Sequence, residues 1–315
     1  MDHEPATTSQ VVGFLGPAGT FTEQALRLLH AGPEADCAWP APSVAAALEA
    51  VRDGRLVTAV VPFENSVEGS VSATLDELIR GERPLQIRRE THVEVQFALL
   101  AREQVPLGHI RRVATHPHAA AQTREWLAAR VPDAEVIPES STARAAELVA
   151  AEVYDAAVAA PLAAERHGLV TLATGIADRP GAVTRFVEVG RPGPPPAATG
   201  ADTTTLVAFI RNNRPGALLE LLEQFAARQV DLTRLESRPT GTALGQYCFT
   251  IEAVGHIDEP RVAEALAGLR RTCAEVRYLG SYPRADQRAE PVPEEAGPAA
   301  YRDAQEWVAR LRGHV

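Results

Sequence analysis

The chain reads as an α/β protein in two folded units, on three observations. Apolar strand-like runs alternate with amphipathic helical patterns as far as residue 190, the signature of a layered fold with mainly parallel strands. The stretch RPGPPPAATGAD (191–202) then carries Pro or Gly at six of twelve positions, so it forms neither helix nor central strand and reads as a semi-rigid linker. Beyond it the rhythm changes to β-α-β-β-α-β over 203–283, a ferredoxin-like split pattern. The reading is thus a front unit over 1–190, the linker, a back unit over 203–283 and a Pro- and Glu-rich tail over 284–315.

In the front unit VVGFLG (11–16) is a short apolar strand, followed by a helix from Thr20 to about Ala31 whose Thr20 and Glu23 have capping-box spacing. Ser43 caps a helix over 43–53 that Gly54 closes, and TAVVPF (58–63) is the next strand. A helix over 71–80 stops at Gly81. VEVQFALLA (93–101) and RRVAT (111–115) read as strands, and Pro117 suits the first turn of a helix running to Arg130. AEVIPE (134–139) is a short strand, Ser140 or Ser141 opens a helix to about Ala151, and DAAVAA (155–160) is again a strand. Pro161 starts a helix that Gly168 ends, and TRFVEVG (184–190) is the last strand.

The back unit opens with the strand TTTLVAFIR (203–211) and the helix PGALLELLEQFAARQ (215–229). The strands 231–239 and 245–255 flank a turn at Thr240–Leu244, Asp258 caps a helix over 259–273, and AEVRYLGSYP (274–283) closes the unit. In the tail, a helix over 299–312 carries Tyr301, Trp307, Val308 and Leu311, whose spacing signals packing and no chemistry.

Composition removes several function classes. The 315 residues include 31 that are Lys or Arg, and every one of them is Arg. Without lysine there is no Schiff-base lysine, no pyridoxal-phosphate attachment and no P-loop. Arginine brings a permanent charge on a planar fork, suited to holding carboxylates. A compositionally biased genome accounts for the replacement, yet the exclusion holds either way. The net charge of -10 disfavours non-specific nucleic-acid binding. Three cysteines without CxxC or Cys/His spacing indicate neither a disulfide framework nor a zinc site, and no apolar run approaches the ~20 residues of a membrane span. A cytoplasmic protein with no metal or cofactor is expected.

Five segments place polar groups at turns and helix starts. GPAGTFTE (16–23) links a strand to a helix start, where free N–H groups and the helix dipole face an anion; a capped tight turn alone also accounts for it. VPFENSVEGSV (61–71) sets Glu64, Asn65 and Ser66 just past a strand, the edge where open α/β sheets hold ligands, or else a capped turn. THPHAAAQ (115–122) has histidines at i and i+2, the wrong spacing for a metal on a helix face, so Thr115 and its neighbours read as a helix entrance. SSTARAAE (140–147) repeats that arrangement with Thr142. VTRF (183–186) joins a hydroxyl, a guanidinium and a ring at a strand start. On physics alone these fit a small polyanionic ligand.

In order, GPAGTFTE, VPFENSVEGSV, THPHAAAQ, SSTARAA and VTRF, then NRPGALL and LESRP, closely resemble the prephenate dehydratase family with its C-terminal ACT regulatory domain, over about residues 11–283. The chain departs from the family pattern in having Gly181, Ala182 and Val183 where an Asn often precedes the Thr-Arg-Phe trio, and Thr115 and His118 where Ser and Gln are more usual. The resemblance implies a two-lobed catalytic unit like a type II periplasmic binding protein, with lobe one at about 11–90 and 170–190 and lobe two at about 91–169, plus a βαββαβ ACT domain. It implies decarboxylating dehydration of prephenate to phenylpyruvate, with Thr184 stabilising or protonating the departing hydroxyl and Arg185 orienting a carboxylate. Thr20, Asn65, Ser66, Thr115, Thr142 and Phe186 would contact substrate, and Glu64 would be an acid or a structural carboxylate. Phenylalanine would bind Asn213, Pro215, Gly216, Ala217 and Leu218, beside Leu219, with Glu236 and Ser237 facing its ammonium, in a homodimer or homotetramer. Arogenate dehydration, a prephenate decarboxylase-like reaction and a non-catalytic ligand sensor are the alternatives.

Overall fold

The computed structural model describes residues 11–30, 32–67, 69–80, 83–239 and 247–313. The helix stop expected at Gly81, the helix end at Ala31 and the turn at Thr240–Leu244 lie outside these residues. The chain divides into two units, one holding the residues up to 77 and 91–189, the other 78–90 with everything from 190 onward.

The first unit starts with β1 (Gly13–Leu15), α1 (Phe21–Leu29), α2 (Pro33–Asp36), β2 (Trp39–Ala41), α3 (Val44–Arg52), β3 (Thr58–Asn65) and β4 (Gly69–Ser70). Next come α4 (Ser72–Arg80) and β5 (Gln86–Glu94), each of which passes from one unit to the other along the chain. β6 (Ala98–Ala101), β7 (Arg112–Thr115), α5 (Pro117–Gln122), α6 (Arg124–Arg130) and β8 (Glu135–Pro138) follow. The unit ends with α7 (Thr142–Ala150), β9 (Ala156–Ala159), α8 (Pro161–His167), β10 (Val170–Thr174) and β11 (Val183–Gly190).

Two sheets, one per lobe, organise these elements. The first has the order β2-β1-β3-β11-β5, with β4 on β3, and the second β10-β6-β9-β7-β8. The run 93–101, expected as one strand, is two: β5 ends at Glu94 in the first sheet and β6 begins at Ala98 in the second. Periodicity registers an extended apolar segment, not the sheet it joins. The expected lobe boundary needs correction as well, because Val170–Thr174 pairs antiparallel with β6 in lobe two and only β11 returns to lobe one. The chain crosses between lobes at 95–97 and 175–182, where Val95 donates its N–H to Ala182 and Ile176 to Phe97.

The helix expected over 117–130 breaks at Thr123. The carboxylate of Asp178 there accepts the N–H groups of Glu125 and Trp126, giving α6 an N-terminal cap from a distant loop. In lobe two, Ala98, Ala145, Ala157, Ala159 and Ala163 share one core, and such small residues let α7 and α8 sit close to the sheet. Lobe one packs Phe14, Leu26, Val60 and Phe186.

The second unit carries β12 (Asp202–Phe209), α9 (Ala217–Ala226), β13 (Leu232–Pro239), β14 (Tyr247–Val254), α10 (Pro260–Thr272), β15 (Glu275–Pro283) and α11 (Pro298–Leu311). Its antiparallel sheet has the order β13-β14-β12-β15, as a split βαββαβ pattern requires, with Leu206, Phe225, Ile251 and Leu269 in the core beneath α9 and α10. The cap expected from Asp258 is corrected: Asp258 faces His256, while Glu259 takes the Ncap position and accepts the His256 N–H at 2.7 Å. Among the described residues no helix is long and apolar enough to cross a membrane.

Candidate active site

The site grows from the carboxyl ends of parallel strands, where open sheets leave room for ligands. β1 is parallel to β3, and their ends lead to Thr20 and to Asn65–Ser66. The start of β11 lies beside the end of β3 and is joined three times to Asn65 and Ser66 there. Ser66 donates its N–H to the Val183 carbonyl at 2.9 Å, its Oγ accepts the Val183 N–H at 2.9 Å, and Asn65 Nδ2 donates to Thr184 Oγ1 at 2.8 Å. Ser66 therefore clamps the strand that carries Thr184.

The direction of the Asn65–Thr184 bond is fixed by its neighbour. Asn65 Oδ1 accepts the Val67 N–H at 2.8 Å, so the amide presents its NH₂ side to Thr184. An NH₂ group only donates, hence Thr184 Oγ1 accepts and its own proton remains to be given away. Thr184 is 8% exposed.

Side chains alternate along β11, so Arg185 lies on the side opposite Thr184 and Phe186. Its guanidinium carbon is 5.0 Å from the Phe63 ring centroid, and Nη1 is 3.6 Å from Glu64 Oε2. Glu64 is thus the ion-pair partner of Arg185. Phe186 is 2% exposed within the lobe-one core, which corrects its expected substrate contact.

Thr20 caps α1, accepting the Glu23 N–H and donating to the Pro17 carbonyl at 3.0 Å. In lobe two, Ser141 is the cap of α7 and accepts the Arg144 N–H at 2.9 Å, which leaves Thr142 as the first helical residue. Thr115 needs correction. It is fully buried, and its hydroxyl donates to the Val158 carbonyl at 2.7 Å, tying β7 to β9 instead of facing a ligand.

Sequence reasoning saw Glu23 only as a capping residue. Its side chain is 1% exposed; Oε2 accepts the Gly19 N–H at 2.6 Å, and Oε1 meets Arg27 and, across the lobes, Arg166. The Gly19 N–H just before this helix is therefore answered by the protein's own carboxylate. Burial pushes the Glu23 carboxyl up, but hydrogen bonds from Arg166 and Gly19 and the charges of Arg166 and Arg27 outweigh it and hold it below its ordinary value of 4.5. A folded value below the unfolded one means that its stabilisation is complete above pH 4.5 and is lost as pH falls through the lower folded value. Acid unfolding followed by fluorescence should accordingly be less steep below pH 4.5 in Glu23→Gln than in the parent; superimposable profiles would count against this linkage.

In the second unit, Asn213, Gly216, Ala217 and Leu218 line one pocket of about 350 Å³, closed by Ile210, Leu222 and Phe249. Gly216 is the cap of α9 at φ +85°, a conformation that favours glycine, and a Cβ there would meet open space. Pro215 lies in the preceding turn, so the helix starts two residues later than expected. Glu236 on β13 pairs with Arg234 and Arg238, each at 3.0 Å, and neither it nor Ser237 lines that pocket.

Fold and site together define a two-lobed α/β unit with a polar hydroxyl centre, joined to a ferredoxin-like module with an apolar pocket at a helix start. The family model for prephenate dehydratase matches residues 12–194 and that for the ACT domain residues 204–271. A curated prephenate dehydratase of Mycobacterium tuberculosis (strain H37Rv) is 50% identical over 308 residues, covering 96% of this chain and 94% of its own. The crystal structure of prephenate dehydratase from Arthrobacter aurescens in complex with L-Phe has a TM-score of 0.88 at 48% identity, over 96% of this chain and 99% of the other. GqqA, described as a novel type of quorum quenching acylase, has a TM-score of 0.76 at 33% identity, over 88% of this chain and 100% of that one. The chain belongs to the prephenate dehydratase family and carries its ACT domain. Its activity is that of a carbon–oxygen lyase.

Proposed function

We propose that Thr184 donates its proton to the ring hydroxyl of prephenate as that group departs, with Asn65 holding the threonine oxygen in place. The supporting observation is the one-way hydrogen bond from Asn65 to Thr184. As the ring carboxylate leaves as CO₂, its bonding pair becomes a ring double bond and the C–O bond breaks. The departing oxygen takes one proton and leaves as water, and solvent returns that proton to Thr184. Aromatisation drives the step, so orientation and one aimed donor are the protein's share. Thr20 and Thr142 stand at helix starts on the two sheet edges and are assigned to the carboxylates, while Arg185 contributes positive charge shared with Glu64. Phenylpyruvate formation from prephenate and phenylalanine formation from arogenate, assayed side by side on the purified chain, test the reading; absence of turnover on prephenate would overturn it. Asn65→Ala should lower kcat/KM about 10–100-fold with KM little changed, since it removes support realised in the transition state. Glu64→Gln should keep kcat within about threefold, as expected of an ion-pair partner and not of an acid.

The bound L-Phe of the Arthrobacter structure supports phenylalanine as the effector here. The pocket at the start of α9 offers free N–H groups to a carboxylate and Leu218, Leu222 and Phe249 to a ring. Leu218→Glu, at a partly exposed position that tolerates the change, should weaken phenylalanine binding at least about tenfold in calorimetry on the full chain. Unchanged affinity would move the site elsewhere. A homodimer or homotetramer fits the exposed Leu219, Leu235 and Tyr247 of this unit, and sedimentation velocity decides it.

A further inference from the structure

We propose that Glu23 is a positioning residue for the dehydration: through Arg166 it latches the first turn of α1, and the Gly16–Thr20 loop before it, onto lobe two. This rests on the reading that substrate lies between the two sheet edges.

Three side-by-side contacts define the latch. At Gly19, where φ is +84°, an added Cβ would lie 3.3 Å from Ala163 Cα on α8 and 3.7 Å from Ala143 Cβ on α7, so the lobe-one loop touches the starts of two lobe-two helices. Phe21 packs edge-on against Phe97 of the crossing segment, with ring centroids 5.7 Å apart. Glu23 then meets Arg166 Nε at 2.9 Å and Nη2 as well.

Capping alone does not explain this arrangement. Glu23 already closes the helix start through Gly19, and Arg27 on the same helix already offers it a countercharge. Arg166, 143 residues further along the chain, adds nothing to a cap. What it adds is a fixed distance between lobes. A buried ion pair is a weak source of net stability because desolvation offsets attraction, but its geometry is demanding, which suits it to setting one arrangement over others. Glu23 and Thr20 answer the Gly19 and Glu23 N–H groups from within, and the latch holds the loop that carries Thr20 against the lobe-two helix starts, one of which begins at Thr142.

Full-length Arg166→Gln, Arg166→Lys, Glu23→Gln and the double variant Glu23→Gln/Arg166→Gln, assayed with prephenate and by hydrogen–deuterium exchange without substrate, test the proposal. Arg166 is 35% exposed, so its variants fold even if burial makes Glu23→Gln unstable. Arg166→Gln should raise KM about tenfold with kcat within about threefold, and Arg166→Lys should recover most of the loss. Peptides covering 16–22 and 160–166 should exchange faster in Arg166→Gln while those of β11 are unchanged. The double variant should be no worse than Glu23→Gln, because the two act as one unit. An unchanged KM in Arg166→Gln, losses that multiply in the double variant, or failure of Arg166→Lys to rescue would each overturn the latch. If the parent itself does not turn over prephenate, the exchange data still decide whether the lobes are latched, and the substrate reading alone fails.

Discussion

Thr184→Val keeps the fold and loses about 10²–10³ in kcat/KM, the usual cost of removing one aimed donor from a reacting oxygen. Valine matches threonine in shape, so packing along β11 is preserved. Asn65 loses its acceptor, a change of about 1 kcal/mol in stability because the site is not fully closed to water. Thr184→Ser keeps the donor and should retain most of the activity. Steady-state assay and thermal melting of the same samples separate the two effects. A valine variant with near-parental turnover would remove Thr184 from the chemistry.

Phe186→Ala gives the opposite pattern. A ring packed with Phe14, Leu26 and Val60 in the lobe-one core is removed, at a cost of about 3–5 kcal/mol. A lower urea midpoint with KM for prephenate within about threefold of the parent is the expected signature. A large rise in KM at unchanged stability would return Phe186 to the substrate.

The difference between these two neighbours shows what a sequence can and cannot carry. Helix starts at Thr20, Ser43 and Ser141 were legible because a cap is a local event, decided within four residues. The Asn65, Ser66 and Thr184 segments stood out as turn and strand-start motifs, yet their mutual hydrogen bonds span 117 and 119 residues and no local rule reports them. Thr115 and Phe186 read as site residues because they sit in site-like motifs, whereas burial is set by whatever packs above them. The segment 93–101 reads as one strand because alternation persists while the chain changes sheets, and Asp178 capping α6 is invisible for the same long-range reason. Glu23 was half legible: its cap is local, its partner Arg166 is not.

The order of strands in the first sheet bears on how the enzyme is made. β11 stands between β3 and β5, although it is translated after every other strand of both lobes. A ribosome emitting about 5–20 residues per second thus leaves β3 without β11 beside it until the whole of lobe two has emerged. β6 to β10 are contiguous in the chain and can close their sheet first, whereas lobe one waits with an open seam. The segment that fills the seam is the one bearing Thr184. Nascent chains arrested before residue 183 should therefore hold a protected lobe two and a protease-sensitive lobe one, and catalytic competence arrives with the last strand home.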